Sequence, residues 1–589
     1  MKNKNLWFAL LIGLLTGTTA CSDFLDRSPE DRVSDDAVWK TSDHLKLYVN
    51  NFYNNNALLP LRNGYSNTET PFYQDATGGS DTQIAINHNS RMNGENTVPE
   101  SGGGWSYGDW SVLRNINYFF SHYKTATGDE NEINRYVGEA LFFRAIFYFD
   151  KLRNFGDVPF YEDVLMLKDG ELLHKARDPR NVVANRLISD LDKAVQYLPS
   201  RKGRSWDGRL NKETAMLLQA RIALYEGTWE KYHAGTPFGV TGSNGSEFIT
   251  KAKNVTDSLI ALGSCDLDNT GSTTGYFDLF NQHSYSGSQE VLFWRQYEVG
   301  TLTHTWPRYT YNGSGMGLTK RMIDSYLAAN GKPVEISGLA ISDATLVDLV
   351  ANRDPRLNQT IYVNDGLHLI DNKTGRLFTY PHLYAEGSVK CVTGYQLYKG
   401  HDSSEFETTE GTAAQIYFRY AEALLINAEA KAELGTITQT DLDNTINKLR
   451  DRAGLPHLNL ADVNGWTYTK EFPALSNIIN EIRRERKVEL VGEGFRVDDI
   501  FRWAAAGLLI RDYIPLGALR SQWDGIIGDQ FLGDVSAIPT KDGYINPYAN
   551  TTVGVSGYKF NLNRDYLRPL PLTELVLNPS LNPNNPGWD

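Results

Sequence analysis

The chain has few of the residues that build disulfide scaffolds and zinc sites. Only 3 Cys and 11 His occur in 589 residues, and no two His stand four positions apart. The signatures H-E-x-x-H, C-x-x-C, G-x-S-x-G and the P-loop are absent. Carboxylates are plentiful, but no pattern singles out a pair for acid–base chemistry. We therefore predict no catalytic residue and no cofactor. The sequence singles out no metal ligands and shows no EF-hand spacing, but it leaves metal binding open.

Basic residues are also fewer than acidic ones in this chain. There are 58 Lys and Arg against 71 Asp and Glu, a formal net charge of −13. Nucleic-acid binding needs a basic surface to contact the phosphates, so we predict no nucleic-acid partner. Cys265 and Cys391 are too few for a scaffold, and the sequence leaves open whether they pair or stay as thiols.

The N-terminus carries a segment that is typical of export. Lys2 and Lys4 precede an apolar run from Leu6 to Leu15, and small residues follow before Cys21. A basic start, an apolar core and a small-residue exit predict a signal peptide over 1–20. Cys directly after the small residues resembles a bacterial lipoprotein signal, in which that Cys is acylated. An ordinary signal peptide with an incidental Cys is the alternative.

Apolar residues recur at helical spacing in several stretches separated by long loops. The pattern predicts helices over 42–56, 110–120 (capped by Asp109), 130–154, 180–198, 212–227, 419–435, 439–453 and 472–491. Ala215, Ala220 and Ala223 are spaced so that a partner helix can approach closely. Ala-rich helix pairs that end at Gly look like tetratricopeptide-type hairpins. We predict a mostly α-helical scaffold that presents long loops, where binding usually occurs.

The charged segment 481–503, EIRRERKVELVGEGFRVDDIFRW, is predicted as one helix. Glu481 with Arg484, and Arg486 with Glu489, are i,i+3 neighbours of opposite charge. An acid–base site is one interpretation. We favour the other, a buried ion network that holds two helices together.

These segments resemble the SusD/RagB family of outer-membrane nutrient-binding lipoproteins. The charged segment 481–503 resembles the signature helix of that family. Three further segments agree in order: 135–161 with its Gly-Asp-x-Pro exit, the later repeat pair at 419–435 and 446–456, and the Pro-rich ending 564–588. Together with the lipoprotein start, the resemblance covers the mature chain.

The resemblance implies a single SusD-like domain, 41–589, after a lipidated leader over 21–40. Helical repeats would occupy mainly 110–265 and 411–503, and the ligand-binding loops mainly 57–108 and 266–410, with an irregular segment over 504–589. It also implies capture of an oligosaccharide or polysaccharide at the cell surface. The partner would be a TonB-dependent, SusC-like transporter in the outer membrane of a Gram-negative bacterium, with the protein as its lid, lipid-anchored and facing outward.

Two loop regions combine aromatic rings, which suit the C–H face of a sugar, with polar side chains that suit its hydroxyls. The candidate ligand contacts in 72–107 and 294–311 are Tyr73, Asp75, Asp81, Arg91, Trp105, Tyr107, Tyr297, Trp306, Arg308 and Tyr309. Trp105 and Trp306 are the candidate platforms, whereas Trp110 and Trp294 are predicted to be packed. A lipid-anchored polysaccharide hydrolase, and a peptide-binding importer of the same fold, are the alternative functions.

Overall fold

The computed structural model describes residues 39–60, 71–268, 271, 273–383, 390–526 and 535–588. The proposed signal peptide and almost all of the leader, including Cys21, lie outside the described residues. Within them, the longer helices α1 to α10 are Ser42–Tyr53, Tyr107–His122, Glu130–Phe155, Arg180–Tyr197, Lys212–Tyr232, Ser246–Leu262, Tyr420–Glu433, Ile446–Ala453, Asn477–Glu489 and Arg496–Arg502. The mostly helical fold predicted from the sequence is confirmed.

Shorter elements occupy the regions between these helices. The short helices are Gln74–Gly78, Gly170–Leu173, Gly275–Asp278, Pro307–Thr310, Lys320–Ser325, Val334–Ser337, Leu346–Val350, Pro355–Thr360, Gln439–Asp443, Leu460–Asn464, Ala506–Leu509, Thr552–Ser556 and Leu572–Leu577. Strands β1 to β8 are Gln83–Ala85, Val291–Arg295, Met316–Leu318, Leu369–Asp371, Arg376–Leu377, Gln415–Arg419, Thr540–Lys541 and Tyr544–Ile545. They form antiparallel pairs only, β1 with β3, β2 with β6, β4 with β5 and β7 with β8.

The long helices pack in series, as helix hairpins do. α3 contacts α4, α4 contacts α5, α5 contacts α6, α6 contacts α7, and α7 contacts α9. Close approach requires small residues at the contacts: Ala215, Ala220 and Ala223 of α5 are fully buried. A Cβ at Gly227 would lie 2.7 Å from the backbone nitrogen of Ile249 in α6. Helices α5 and α6 therefore approach closely at Gly227, and the three alanines predicted to allow such an approach lie in the interior.

The charged segment 481–503 differs from its prediction, because it is broken into α9 and α10. Gly492 and Gly494 adopt φ values of 78° and 84°, a left-handed conformation that strains residues with a Cβ. A Cβ at Gly492 would also lie 2.8 Å from the carbonyl oxygen of Phe72. The turn over 490–495 therefore interrupts the helix where the segment 71–75 packs against it.

Two other predicted helices also differ from the sequence pattern. The N-cap of α2 is Ser106, not Asp109, which instead completes a capping box from the third helical position. The predicted helix 439–453 is interrupted at Asn444 and Thr445 and becomes Gln439–Asp443 and α8. Side-chain capping boxes begin α2 at Ser106 and the short helix Gln439–Asp443 at Thr438, whereas α8 begins after Thr445 without a side-chain cap.

The favoured interpretation of the charged segment is confirmed, since its side chains form buried ion pairs. Glu489 is fully buried and contacts Arg419 at 2.8 Å, Arg356 at 3.1 Å and Arg452. The predicted pair Glu481–Arg484 forms at 3.1 Å. Arg486 instead pairs with Asp499 of α10 at 2.8 Å, because Glu489 points into the network. The ion pairs thus join α9 to α8, α10 and the loop region.

Candidate functional site

Three candidate contacts of the first loop region lie in the protein interior. Tyr73, Asp75 and Asp81 are each at most 1% exposed. The Asp75 carboxylate accepts hydrogen bonds from the backbone nitrogens of Gly492 (3.0 Å) and Arg496 (3.1 Å), at the start of α10. Burial raises the pKa of Asp75 to about 6 even with these donors. The Asp81 carboxylate accepts two hydrogen bonds from the Arg496 guanidinium, at 2.7 and 2.8 Å.

The other three candidates of this region lie in different surroundings. The Trp105 ring is buried, with its centroid 4.9 Å from that of Phe155 and 5.1 Å from that of Trp110. Tyr107 is 85% exposed and lines a separate apolar depression. Arg91 donates hydrogen bonds to the backbone oxygens of Asp565 and Tyr566, each at 2.8 Å. Of the six, Arg91 and Tyr107 have surfaces that a ligand can reach in this structure.

The second loop region folds into a compact aromatic cluster. Tyr297 and Trp306 are buried together with Ala413, and the His304 ring stacks on Trp306 with centroids 3.5 Å apart. Arg308 is exposed in the short helix Pro307–Thr310, which also contains Tyr309, whose side chain lies outside the described part of the structure. Contact of these residues with a ligand stays a prediction, since the described aromatic rings have no open face here.

The predictions for the remaining tryptophans agree with their surroundings. Trp294 is buried in β2 and stacks on Trp206, with ring centroids 3.6 Å apart. Trp110 is partly buried against Phe147, at 5.5 Å between centroids.

An open cleft of about 620 Å³, the polar cleft, lies where four distant segments meet. These are the loop 77–103, the C-terminal end of α3, helix α10 and the segment 568–569. The polar groups that line it are Thr77, Asn89, Ser90, Arg91, Asn96, Thr97, Asp150, Arg153, Asn154, Asp498 and Arg568. The backbone nitrogen of Arg568 donates to Asn154 O at 2.7 Å, which joins two of the segments. Amides, hydroxyls and guanidinium groups are donors and acceptors of the kind that bind hydroxyl-rich ligands.

The charges in the polar cleft are unequal in number. Three guanidinium groups, from Arg91, Arg153 and Arg568, face two carboxylates, from Asp150 and Asp498. Arg153 contacts both carboxylates, and although burial opposes its charged form, they raise its pKa above the ordinary value. Burial, followed by the charge of Arg568, lowers the pKa of Arg91. The cleft is therefore locally basic in an acidic protein.

Sequence reasoning named Arg91 but missed the rest of this cleft. Asn96 and Thr97 lie in the first loop region, and no side-chain hydrogen bond to them is found among the described residues. Arg568 lies more than 400 positions away from them and has no periodicity that links it to the loop. None of the described side chains of 294–311 lines the polar cleft, so the two predicted loop regions do not form one site.

Residues that could hold a metal come together at one place in the described part of the chain. His283, Asp402 and Glu405 place their ligand-type atoms within 4.8 Å of one another. The close contact with the carboxylate of Asp402 raises the pKa of His283. The two thiols are not joined: Cys265 and Cys391 are free, and burial raises the pKa of each to about 11.

Comparison with known proteins identifies the family of this chain. The SusD family matches over residues 263–588. The chain belongs to the SusD family. SusD-like protein P2 of Formosa agariphila is 25% identical over 601 residues, covering 100% of both chains. SusD-like protein P38 of the same bacterium is 24% identical over 522 residues, covering 85% of this chain and 91% of that one.

Solved structures show the same fold over nearly the whole chain. A SusD-like carbohydrate-binding protein from Bacteroides fragilis superposes with a TM-score of 0.70 at 20% identity, covering 92% of this chain and 100% of that one. A second SusD-like protein from Bacteroides fragilis gives a TM-score of 0.70 at 22% identity, covering 95% and 100%. Among the helices of the described residues, none has the length and apolar character needed to cross a bilayer.

Proposed function

We propose that this SusD-family protein binds glycans without cleaving them, and that the polar cleft is where an oligosaccharide docks. The observation that carries the proposal is the lining of that cleft. Its amide, hydroxyl and guanidinium groups match the hydroxyl rim of a sugar, and a cleft of about 620 Å³ has room for several rings. The description of a relative in this fold as carbohydrate-binding supports the same class of ligand.

The carboxylates of the cleft support binding rather than hydrolysis. A glycosidase needs one carboxyl group that is protonated when it meets its substrate. Asp150 and Asp498 both form ion pairs with Arg153 instead. Each carboxylate is thus held by a guanidinium group of the cleft, an arrangement that fixes binding groups in place.

Binding is tested by calorimetry against a panel of neutral and uronic-acid oligosaccharides, together with peptides. Both sugar classes are included because the cleft has one guanidinium more than it has carboxylates. We expect Arg568→Ala to weaken the best ligand about tenfold, the effect of losing one charge-assisted hydrogen bond. Asn96→Ala should also weaken it. Arg186→Ala is the matched control, since Arg186 is exposed and its nearest carboxylate is 3.9 Å away.

Three outcomes would contradict the proposal in different ways. Unchanged affinity in Arg568→Ala and Asn96→Ala would remove the polar cleft as the binding site. Binding of peptides but of no glycan would favour a peptide importer. Release of shorter sugars during incubation with purified protein would favour a hydrolase.

The setting of this function is proposed from the resemblance. Cys21 carries the lipid anchor, the protein faces outward on the outer membrane, and a TonB-dependent SusC-like transporter receives the glycan beneath it. We expect Cys21→Ala to release the protein from membranes, and protease added to intact cells to digest the wild type. Co-purification of the transporter in mild detergent would support the partnership; recovery of the protein alone would count against it.

A further inference from the structure

A histidine between two carboxylates joins two loops beside the aromatic cluster of Tyr297 and Trp306. His283 follows the short helix Gly275–Asp278, and Asp402 and Glu405 lie in the turn Asp402–Glu405. The His283 Nε2 atom is 2.9 Å from Asp402 Oδ2, and its Nδ1 atom is 3.6 Å from Glu405 Oε1. The His283 side chain is 47% exposed, so a solvated ion can reach this group.

The hydrogen bonds of His283 determine which ring nitrogen carries the proton. Thr412 donates its only hydroxyl proton to Glu405 Oε1 at 2.8 Å. The Thr412 hydroxyl is also 2.9 Å from His283 Nδ1, so it accepts a hydrogen bond from Nδ1–H. In the neutral ring Nε2 then has a lone pair, and it faces the carboxylate of Asp402. Metal-binding histidines are oriented in this way, with the second N–H held by an outer polar group.

The carboxylates retain lone pairs that no donor uses. Asp402 is 7% exposed, and its Oδ1 accepts from the backbone and hydroxyl of Ser404. Its Oδ2 accepts no hydrogen bond among the described residues, because the short contact with His283 lacks hydrogen-bond geometry. Glu405 Oε2 accepts one long hydrogen bond, 3.3 Å from Ala413 N. A buried oxygen without a donor, 2.9 Å from a nitrogen lone pair, is an unfavourable arrangement that a bound cation would relieve.

We propose that His283, Asp402 and Glu405 bind a divalent transition-metal ion, with Zn²⁺ as the probe. One imidazole nitrogen and two carboxylates are ligands that Zn²⁺ accepts, whereas Ca²⁺ and Mg²⁺ prefer oxygen ligands alone. Around Zn²⁺ the ligand atoms lie about 2.0–2.2 Å from the metal. Their present separation of at most 4.8 Å therefore closes with movements of about 1 Å.

The site would fasten the loop at 283 to the loop at 402–413, which also holds the aromatic cluster. His304 of that cluster donates to the Ala413 oxygen at 2.9 Å, next to Glu405. The metal is thus positioned to stiffen this part of the surface. The inference is independent of glycan binding in the polar cleft, since no residue is shared between the two.

The test uses the full chain without a polyhistidine tag, stripped with chelator and titrated with Zn²⁺ by calorimetry. We expect one Zn²⁺ per chain and no comparable binding of Ca²⁺ or Mg²⁺. His283→Gln and Asp402→Asn should each weaken Zn²⁺ more than tenfold. Asn at 402 keeps the Oδ1 cap of the turn, so folding is retained. His457→Gln is the matched control, because His457 pairs with Asp451 at 2.7 Å but belongs to no group of three metal-ligand residues in the described part of the chain.

The visible absorption of bound Co²⁺ is an independent test of the same site. Co²⁺ bound by the wild type should show visible absorption bands that His283→Gln lacks. The proposal is refuted if the wild type takes up no stoichiometric Zn²⁺, or if His457→Gln lowers the affinity as much as His283→Gln does. In either case the contact between His283 and Asp402 exists without a bound metal.

Discussion

Removing the charge of Glu489 tests whether the buried ion network holds the fold together. The network contains five cations and five carboxylates, so it is neutral as a whole. Its members are Arg356, Arg419, Arg450, Arg452, Lys399, Glu290, Glu485, Glu489, Glu493 and Asp354. Glu489→Gln keeps the volume of the side chain and leaves one uncompensated positive charge in the interior.

The expected loss of stability in Glu489→Gln follows from the burial of this side chain and its partners. Glu489 is fully buried, and the three guanidinium groups that contact it are at most 2% exposed. Burial alone would raise the pKa of Glu489, but Arg452, Arg419 and Arg356 lower it below its ordinary value. Removing one partner of such a group costs about 3–5 kcal/mol. That is a large part of the roughly 5–15 kcal/mol by which a folded protein is stable.

Urea unfolding followed by tryptophan fluorescence measures this loss directly. For Glu489→Gln we expect the urea concentration at the midpoint of unfolding to fall. The slope of the unfolding free energy against urea concentration should stay unchanged, since the surface exposed on unfolding is the same. Asp324→Asn is the control: its pair with Lys320 spans 2.8 Å, but Asp324 is 55% exposed, so the loss should stay under about 1 kcal/mol. Equal midpoints for the two variants would refute the argument from burial.

Three further substitutions test the packing of a ring, the backbone at a tight turn and a buried carboxyl group. Trp105→Ala should lower stability by about 3–5 kcal/mol, because the ring that the sequence suggested as a ligand platform is buried. An unchanged melting temperature would contradict the packing. Gly492→Ala should destabilise the protein by about 1–3 kcal/mol, because its φ is 78° and the Phe72 oxygen would lie 2.8 Å from the new Cβ. Gly102→Ala is the control in the same urea assay: its φ is also positive, at 79°, but no atom lies within 4 Å of its Cβ. The difference between the two variants gives the steric cost apart from the backbone cost. Burial raises the pKa of Glu230 to about 7 from 4.5, so between these pH values the folded state holds more protons than the unfolded one, and stability falls as pH rises. Melting temperatures at pH 5.0 and 7.5 should differ less in Glu230→Gln than in the wild type, and an identical pH dependence would refute the assignment.

The helical part of the fold was predictable because it rests on local periodicity. α3 was predicted within one residue at its C-terminal end, since apolar residues repeat along it and Phe155-Gly156 ends it. The break between α9 and α10 was not predicted. It depends on the contact of Gly492 with Phe72, more than 400 residues away in sequence, and no local pattern contains that contact.

The candidate site was less predictable, for a related reason. Aromatic and polar loop residues suggested ligand contacts, but Trp105 and Trp306 are buried. An aromatic residue in a loop can have the same neighbours in sequence whether its ring packs in the core or contacts a ligand. His283, Asp402 and Glu405 were missed because they come from two segments more than 100 positions apart, so no ligand spacing links them.

The sequence by itself determined the class of this protein: an acidic, helix-rich chain of the SusD family, with an N-terminus typical of export. Composition, helical periodicity and family motifs are visible in the amino-acid sequence without a tertiary structure. The tertiary structure alone decided which side chains face solvent and which distant groups meet, as in the polar cleft and around His283. Those features depend on long-range packing, whose contacts are set by the fold as a whole and not by any one segment.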